Sequence, residues 1–357
     1  MTAGDFARAL RSLETLDLAA GDPQRSLRIA GLRVRLRFAT PALATATMRA
    51  LAHHAESGVA DGSPDLTVFV LDRDSPGNPL RESSAEATSE AAEHGDRVER
   101  WIYDGDEGRG LRQEGFRALY LWHRALGRAA VCFDDARDLP YYQLALPLLP
   151  VLAWWLSERG LAIVHAAAVE TGAGVVLIGG RSGAGKSTAA LACLNDGMGY
   201  LGDDLCVVET GTPPVVHSLY CSAKLDPGDT ARFPALAPAL VPAARSGARE
   251  SKAVYLFDRS FADRVVRAAP LLGVVIPDRG EPVAATPIAA SRAFLAIAPN
   301  TVFLLPGMAR AAAAGVKAVV TRVPVHALAV GTTIGEIPGR VRAHGRWLAA
   351  HPEPGAS

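Results

Sequence analysis

Residues 174–194 read GVVLIGGRSGAGKSTAALACL, and this stretch decides the fold of the C-terminal half of the chain. Gly174 to Gly179 is an apolar run of strand length. Gly180-Arg181-Ser182-Gly183-Ala184-Gly185-Lys186-Ser187 fills the pattern G-x-x-x-x-G-K-[ST] without a mismatch, and Thr188 to Leu194 reads as a helix. The order strand, glycine loop, helix gives the motif its meaning. Successive backbone N–H groups of the loop wrap a phosphate, and the helix N-terminus adds partial positive charge. Lys186 is placed to reach the β- and γ-phosphates and Ser187 to ligate Mg2+. Gly180 to Thr188 is therefore the expected binding set for a nucleoside triphosphate.

The segments on either side carry the chemistry. Asp203-Asp204 falls on a strand, Gly199 to Val208, that follows the loop helix, where phosphate-loop proteins place an acid that organises Mg2+. Neighbouring residues of a strand face opposite ways, so both carboxylates approach the phosphates only if the strand ends or bulges at Gly202. One carboxylate would then serve the metal and the other would take a proton from an attacking hydroxyl. Upstream, His165 sits inside the apolar run Leu161 to Glu170. That run is expected to lie beside the phosphate-loop strand and to point its histidine into the same site.

His165, the Gly180–Ser187 loop and the Asp203-Asp204 pair, at these intervals, resemble the bacterial HPr kinase/phosphorylase family and its HPr-kinase-related serine kinases. The match is strong over about 45 residues and weak over the rest of the C-terminal half. The resemblance implies an α/β phosphate-loop core related to phosphoenolpyruvate carboxykinase rather than to Ras or adenylate kinase. It also implies ATP and Mg2+ as cofactors, and a catalytic set of His165, Lys186 and Asp204. Asp204 would be the base toward a serine hydroxyl, with Asp203 and Ser187 at the metal. The family's loop continues Lys-Ser-Glu, whereas this chain has Lys186-Ser187-Thr188. No segment matches the downstream Glu-Ile-Arg-Gly-Leu-Gly associated with phosphorylase function, so the resemblance extends to the kinase direction. Asp226 and Asp229 fall in that general region without matching a motif. Leu139-Pro140-Tyr141-Tyr142 through Trp154-Trp155 to His165-Ala166-Ala167 is similar to stand-alone relatives that phosphorylate lasso-peptide precursors. Family members form homo-oligomers.

The composition narrows the partners. Lys plus Arg and Asp plus Glu each number 37, so the net charge is zero and offers no general field for nucleic acid or an anionic membrane. No basic segment precedes an apolar core at the N-terminus, and the longest apolar run, Leu144 to Leu156, is too short for a membrane span. Cys132, Cys193, Cys206 and Cys221 show no C-x-x-C spacing, and Cys193 and Cys206 sit in apolar runs and read as buried thiols, which suits a cytoplasmic protein. Only Lys186, Lys224, Lys252 and Lys317 are lysines; every other cationic residue is arginine. Where arginine serves at most surface positions, surviving lysines concentrate where a compact ammonium is needed. Lys224 and Lys252, downstream in the same half, are thus candidate phosphate or substrate contacts.

The chain is expected to form two domains: residues 1–139, a smaller α+β unit for accessory work or substrate recognition, and residues 140–357, the catalytic unit. In the first, Ala3 to Leu16 reads as helix. Leu27 to Phe38 reads as a hairpin or bulged strand broken at Gly31, with a solvated arginine face. Pro41 to His54 reads as a helix, Asp65 to Asp72 as a strand and residues 73–98 as a mobile loop. Three strand-like pieces follow, for a small, mainly antiparallel sheet. Leu139 to Glu158 is one helical strut with Pro147 and Pro150 limiting its regularity, and Trp154 and Trp155 are expected in the core between the halves. Residues 232–250 read as a loop or broken helix.

The leading functional expectation is a kinase acting on a serine or threonine hydroxyl of a protein or peptide. A small-molecule kinase with the same machinery and a non-catalytic nucleotide-binding module are the alternatives. No LSGGQ-like segment supports a transport ATPase.

Overall fold

The computed structural model describes residues 2–58, 62–75, 78, 100–113, 118–135, 139–241, 252–278, 285–329 and 333–352. It forms two compact units, Met1–Met48 with His54–Trp155, and Arg49–His53 with Leu156–Ser357. The division falls at Trp155, later than the sequence-based boundary at 139/140.

The first unit holds α1 (Ala3–Ser12), β1 (Gln24–Ile29), β2 (Leu32–Phe38), α2 (Pro41–Met48) and β3 (Leu66–Leu71), then β4 (Arg100–Asp104), β5 (Gly108–Gln113), β6 (Ala118–His123), β7 (Arg128–Phe133) and α3 (Tyr141–Ala145). Helix α4 (Leu149–Ser157) crosses the division. Among the described residues the strands form one seven-stranded sheet in the order β1-β2-β3-β7-β6-β5-β4. The alternating Leu27–Phe38 segment is the antiparallel hairpin β1–β2, with Leu27 opposite Val34. Its apolar residues are buried on one face, while Arg28 and Arg37 pair with Glu56 and Asp17 on the other. The sheet is mainly antiparallel, as expected, with β3 parallel to both β2 and β7. Helix α1 is capped by Thr2 and packs Phe6, Leu10 and Leu13 on Phe69, Leu119 and Leu121. The single strut is corrected to two helices: Leu146 to Leu148 interrupts it, with Pro147 unable to donate and Leu148 at φ 59°. Trp154 and Trp155 are buried. Most of residues 73–98, read as a mobile loop, lies outside the described residues.

The second unit holds β8 (Ala162–Val164), β9 (Ala167–Glu170), β10 (Val175–Ile178), α5 (Lys186–Asn195), β11 (Gly199–Gly202), β12 (Cys206–Glu209), β13 (Val215–Ser218) and β14 (Ser222–Leu225). It continues with β15 (Leu240–Val241), β16 (Ala253–Leu256), β17 (Ala268–Asp278), β18 (Thr286–Pro287), α6 (Ala290–Leu304), α7 (Ala309–Val320), β19 (Val325–Ala329) and α8 (Ile337–Ala350). The fold is mixed α/β. Its main sheet runs β11-β9-β10-β17-β13-β12-β8, with β19 and β18 continuing from β17, and β14-β16-β15 form a small separate sheet. The central strands are apolar on both faces, as strands sandwiched between helices must be. Val176 and Ile178 of β10 face a core shared with α5 and α8, whereas Val175 and Leu177 face α6 and α7. Residues 227–232 and 234–239 are short 3-10 helices; the rest of the expected 232–250 loop, residues 242–250, lies outside the described residues.

Two sequence-based strands are corrected here. Leu161–Glu170 is not one strand but β8 and β9, and Gly199–Val208 is not one strand but β11 and β12. In both cases a polar residue interrupts the apolar run where the chain passes from one wing of the sheet to the other. The long β17 joins these wings, pairing with β13 at Ala268–Pro270 and with β10 from Leu271 to Val275.

Candidate active site

The two crossings create the site. Strand β12 pairs with β8, placing Cys206 opposite Val164, and β11 pairs with β9, placing Gly202 opposite Ala168. The connector His165-Ala166 and the connector Asp203-Asp204-Leu205 therefore meet at one level of the sheet. His165 Nε2 lies 3.0 Å from Asp204 Oδ1. The histidine is fixed from behind by its backbone N–H, which donates to Thr301 Oγ1 at 3.1 Å, while that hydroxyl donates to Ile297 O of α6 at 3.0 Å.

Strand β10, between β9 and β17, leads into the glycine loop. Gly180, Gly183 and Gly185 have φ of 142°, 76° and 90°, where a side chain would strain the backbone. Gly185 is the N-cap of α5 and no side chain caps that end, so its first N–H groups remain for an anion. Lys186 curls back over the loop and donates from Nζ to the carbonyls of Gly180 at 2.9 Å and Arg181 at 3.1 Å. Burial lowers the pKa of its ammonium, while the Asp204 and Asp203 charges oppose that shift.

The acidic pair is held asymmetrically. Asp204 receives Lys224 Nζ on Oδ2 at 2.6 Å, opposite the histidine on Oδ1. Asp203, only 3% exposed, accepts the backbone N–H of Lys224 at 3.2 Å and a hydrogen bond from the Ser187 side chain. Burial would raise the Asp204 carboxyl, but Lys224 and His165 outweigh it and hold the group well below the usual carboxylate range. Asp203 shifts the opposite way, raised by its burial and by the neighbouring Asp204 charge. Ser187 thus pairs its hydroxyl with the Asp203 carboxyl beside the loop, and the Lys224 charge only partly offsets what burial and Asp204 do to that carboxyl. Among the described residues no group of three or more His, Cys, Asp or Glu converges as a self-contained metal cage.

No protein-family model matches the chain, and no curated protein matches it in sequence. Among solved structures, the Hpr(Ser) kinase/phosphatase from Coxiella burnetii is similar over 52% of this chain and 97% of its own, with 14% sequence identity and a TM-score of 0.30. The likeness is distant.

The structure brings together His165, Gly180 to Ser187, Asp203, Asp204 and Lys224. Thr188 follows in the first turn of α5. Lys252 goes elsewhere, pairing with Asp226 at 2.5 Å in an exposed contact. Sequence reasoning missed Thr301, whose only sequence signal is a hydroxyl in an otherwise largely apolar helix, 136 positions from the histidine it supports. It also missed β14, the strand that delivers Lys224. All four cysteines are free and buried. Among the described residues no helix is long and apolar enough to cross a membrane.

Proposed function

We propose that the chain is an ATP- and Mg2+-dependent kinase that transfers the γ-phosphoryl group to a serine or threonine hydroxyl of a protein or peptide. One observation carries this reading: a carboxylate, Asp204, oriented by His165 beside a complete phosphate loop. A loop alone binds phosphate, but a positioned carboxylate beside it supplies the proton acceptor that an attacking hydroxyl needs.

The residues present fit a divalent cation. Mg2+ in nucleotide sites uses one or two protein ligands together with substrate phosphates, and the Ser187–Asp203 pair provides a hydroxyl and a carboxylate. When bound there, Mg2+ would neutralise charge on the transferring phosphoryl group. The loop amides and Lys186 orient the phosphates and stabilise the charge that develops on them. His165 keeps Asp204 in one rotamer. Asp204 accepts the hydroxyl proton as the acceptor oxygen bonds to phosphorus, and the bond to the β-phosphate oxygen breaks with its electrons leaving on ADP.

We extend the reading to a core of the phosphoenolpyruvate carboxykinase type, a cytoplasmic location, and substrate recognition by the N-terminal unit. The acceptor class includes a ribosomally made precursor peptide. Incubation with γ-labelled ATP and, separately, HPr, candidate precursor peptides and free serine tests the proposal. Label on a protein or peptide hydroxyl is the expected result. Label on free serine alone would make it a small-molecule kinase, and bound nucleotide without turnover would sink both kinase readings.

A further inference from the structure

The site contains a cation that this mechanism leaves without a role. Lys224 makes two contacts through one residue: its backbone N–H donates to Asp203 and its ammonium holds Asp204 Oδ2 at 2.6 Å. The backbone contact is set by the fold. Strand β14 is an edge of its small sheet, pairing only with β16 among the described residues, so its other edge is turned toward β11. On that free edge Ser222 O accepts from Tyr200 Oη at 2.6 Å, and two residues on, Lys224 N donates to Asp203. The main chain of Lys224 is thereby anchored at the acid that Ser187 also touches. Its side chain is four methylenes long and ends in a freely rotating donor.

In this geometry each oxygen of Asp204 already has a partner, and the ammonium beside it weakens the pull of the carboxylate on a hydroxyl proton. Oδ1 is engaged by His165 and Oδ2 by Lys224. The ammonium ends a four-methylene side chain and swings away without moving its backbone, so it is the partner able to leave. A terminal phosphate in the loop is the natural competitor for it, since it carries more negative charge than a single carboxylate and would lie beside Ser187 and Lys186.

We propose that Lys224 is a two-position cation, resting on Asp204 in this arrangement and transferring to the terminal phosphate of a bound nucleoside triphosphate, which frees Asp204 Oδ2 to accept the substrate proton. The inference rests on the kinase reading and adds a coupling to it: the base becomes competent only when the γ-phosphate is in place. A diphosphate, lacking that group, leaves the lysine on the carboxylate.

The test compares affinities for a non-hydrolysable triphosphate, AMP-PNP, and for ADP, each with Mg2+. Lys224→Met should lose about tenfold in preference for AMP-PNP over ADP, the scale of one charge-assisted hydrogen bond, and Lys224→Arg should recover part of it. A merely structural lysine would weaken both nucleotides equally, so a folded Lys224→Met with the wild-type ratio overturns the proposal. The unaltered protein supplies a second measurement that needs no stable variant. It has four lysines, so in protein labelled with ε-13C-lysine the Lys224 signal should shift with AMP-PNP and stay put with ADP. Equal shifts with both nucleotides would overturn the idea. If the wild-type protein binds neither, the kinase reading itself has failed.

Discussion

At the scale of single residues, the proposed kinase gives Lys186 and Asp204 different work, and their substitutions should separate. Lys186→Ala removes the ammonium that spans the loop at Gly180 and Arg181. It should abolish phosphoryl transfer and weaken nucleotide binding together. Asp204→Asn keeps the shape of the carboxylate but not its basicity. Transfer should fall by at least about a hundredfold, the usual reach of a general base, with nucleotide affinity within a few-fold of wild type. Calorimetric titration beside single-turnover transfer reads both quantities. If Asp203→Asn shows that split instead, the roles of the two acids are reversed. Lys186 was legible in sequence because the loop pattern fixes it, and Asp204 because of the resemblance carried by the Asp203-Asp204 pair. Its scarcity as a lysine marked Lys224 as a candidate phosphate or substrate contact, but its ion pair with Asp204 comes only from the fold.

At the scale of elements, α8 is held to the sheet by absence of bulk. A Cβ on Gly345 would stand 2.5 Å from Thr171 Oγ1 and 2.8 Å from Thr171 Cβ, so the helix approaches the end of β9 only because that position is glycine. Gly339, in the same helix, is exposed and a Cβ there meets nothing within 4 Å. The two alanine substitutions should therefore have opposite signs. Gly345→Ala is expected to cost about 1–3 kcal/mol through overpacking, and Gly339→Ala to gain about 0.5–1 kcal/mol from helix propensity. Chemical denaturation of both proteins checks this; two changes of the same sign would remove the close-approach argument. Which glycine of α8 meets the end of β9 was not readable in sequence, because Thr171 lies 174 positions before Gly345.

For the molecule as a whole, pH stability should carry the mark of a buried imidazole. His344 of α8 packs edge-on against His326 of β19, with ring centroids 4.8 Å apart, and stacks on Trp347. Burial first, and then the His326 charge, lowers its pKa from 6.5 to about 4. Above pH 6.5 both folded and unfolded states hold it neutral. As pH falls toward 4 the unfolded chain binds the proton first, so stability is lost across that window and is fully present above it. The expected loss is on the order of 2 kcal/mol, less than the full shift because the folded state is not fully protonated within the window. Thermal unfolding of the wild type and His344→Phe at pH 7.5 and 4.5 tests it, since the variant should lack this component. An identical stability difference at the two pH values would rule the imidazole out.

The sequence by itself determined the glycine loop, its lysine and hydroxyl, and the mixed α/β character of the C-terminal half. These are local properties, set by backbone freedom at glycine and by the periodicity of apolar residues over a few turns or strands. What only the tertiary structure decided is that His165 and Asp203-Asp204 sit at chain crossings between two wings of a sheet, with Thr301 behind them and Lys224 across them. Those contacts join residues 20 to 136 positions apart. Strand register and edge pairing set them, and no spacing along the chain encodes which edge will meet which.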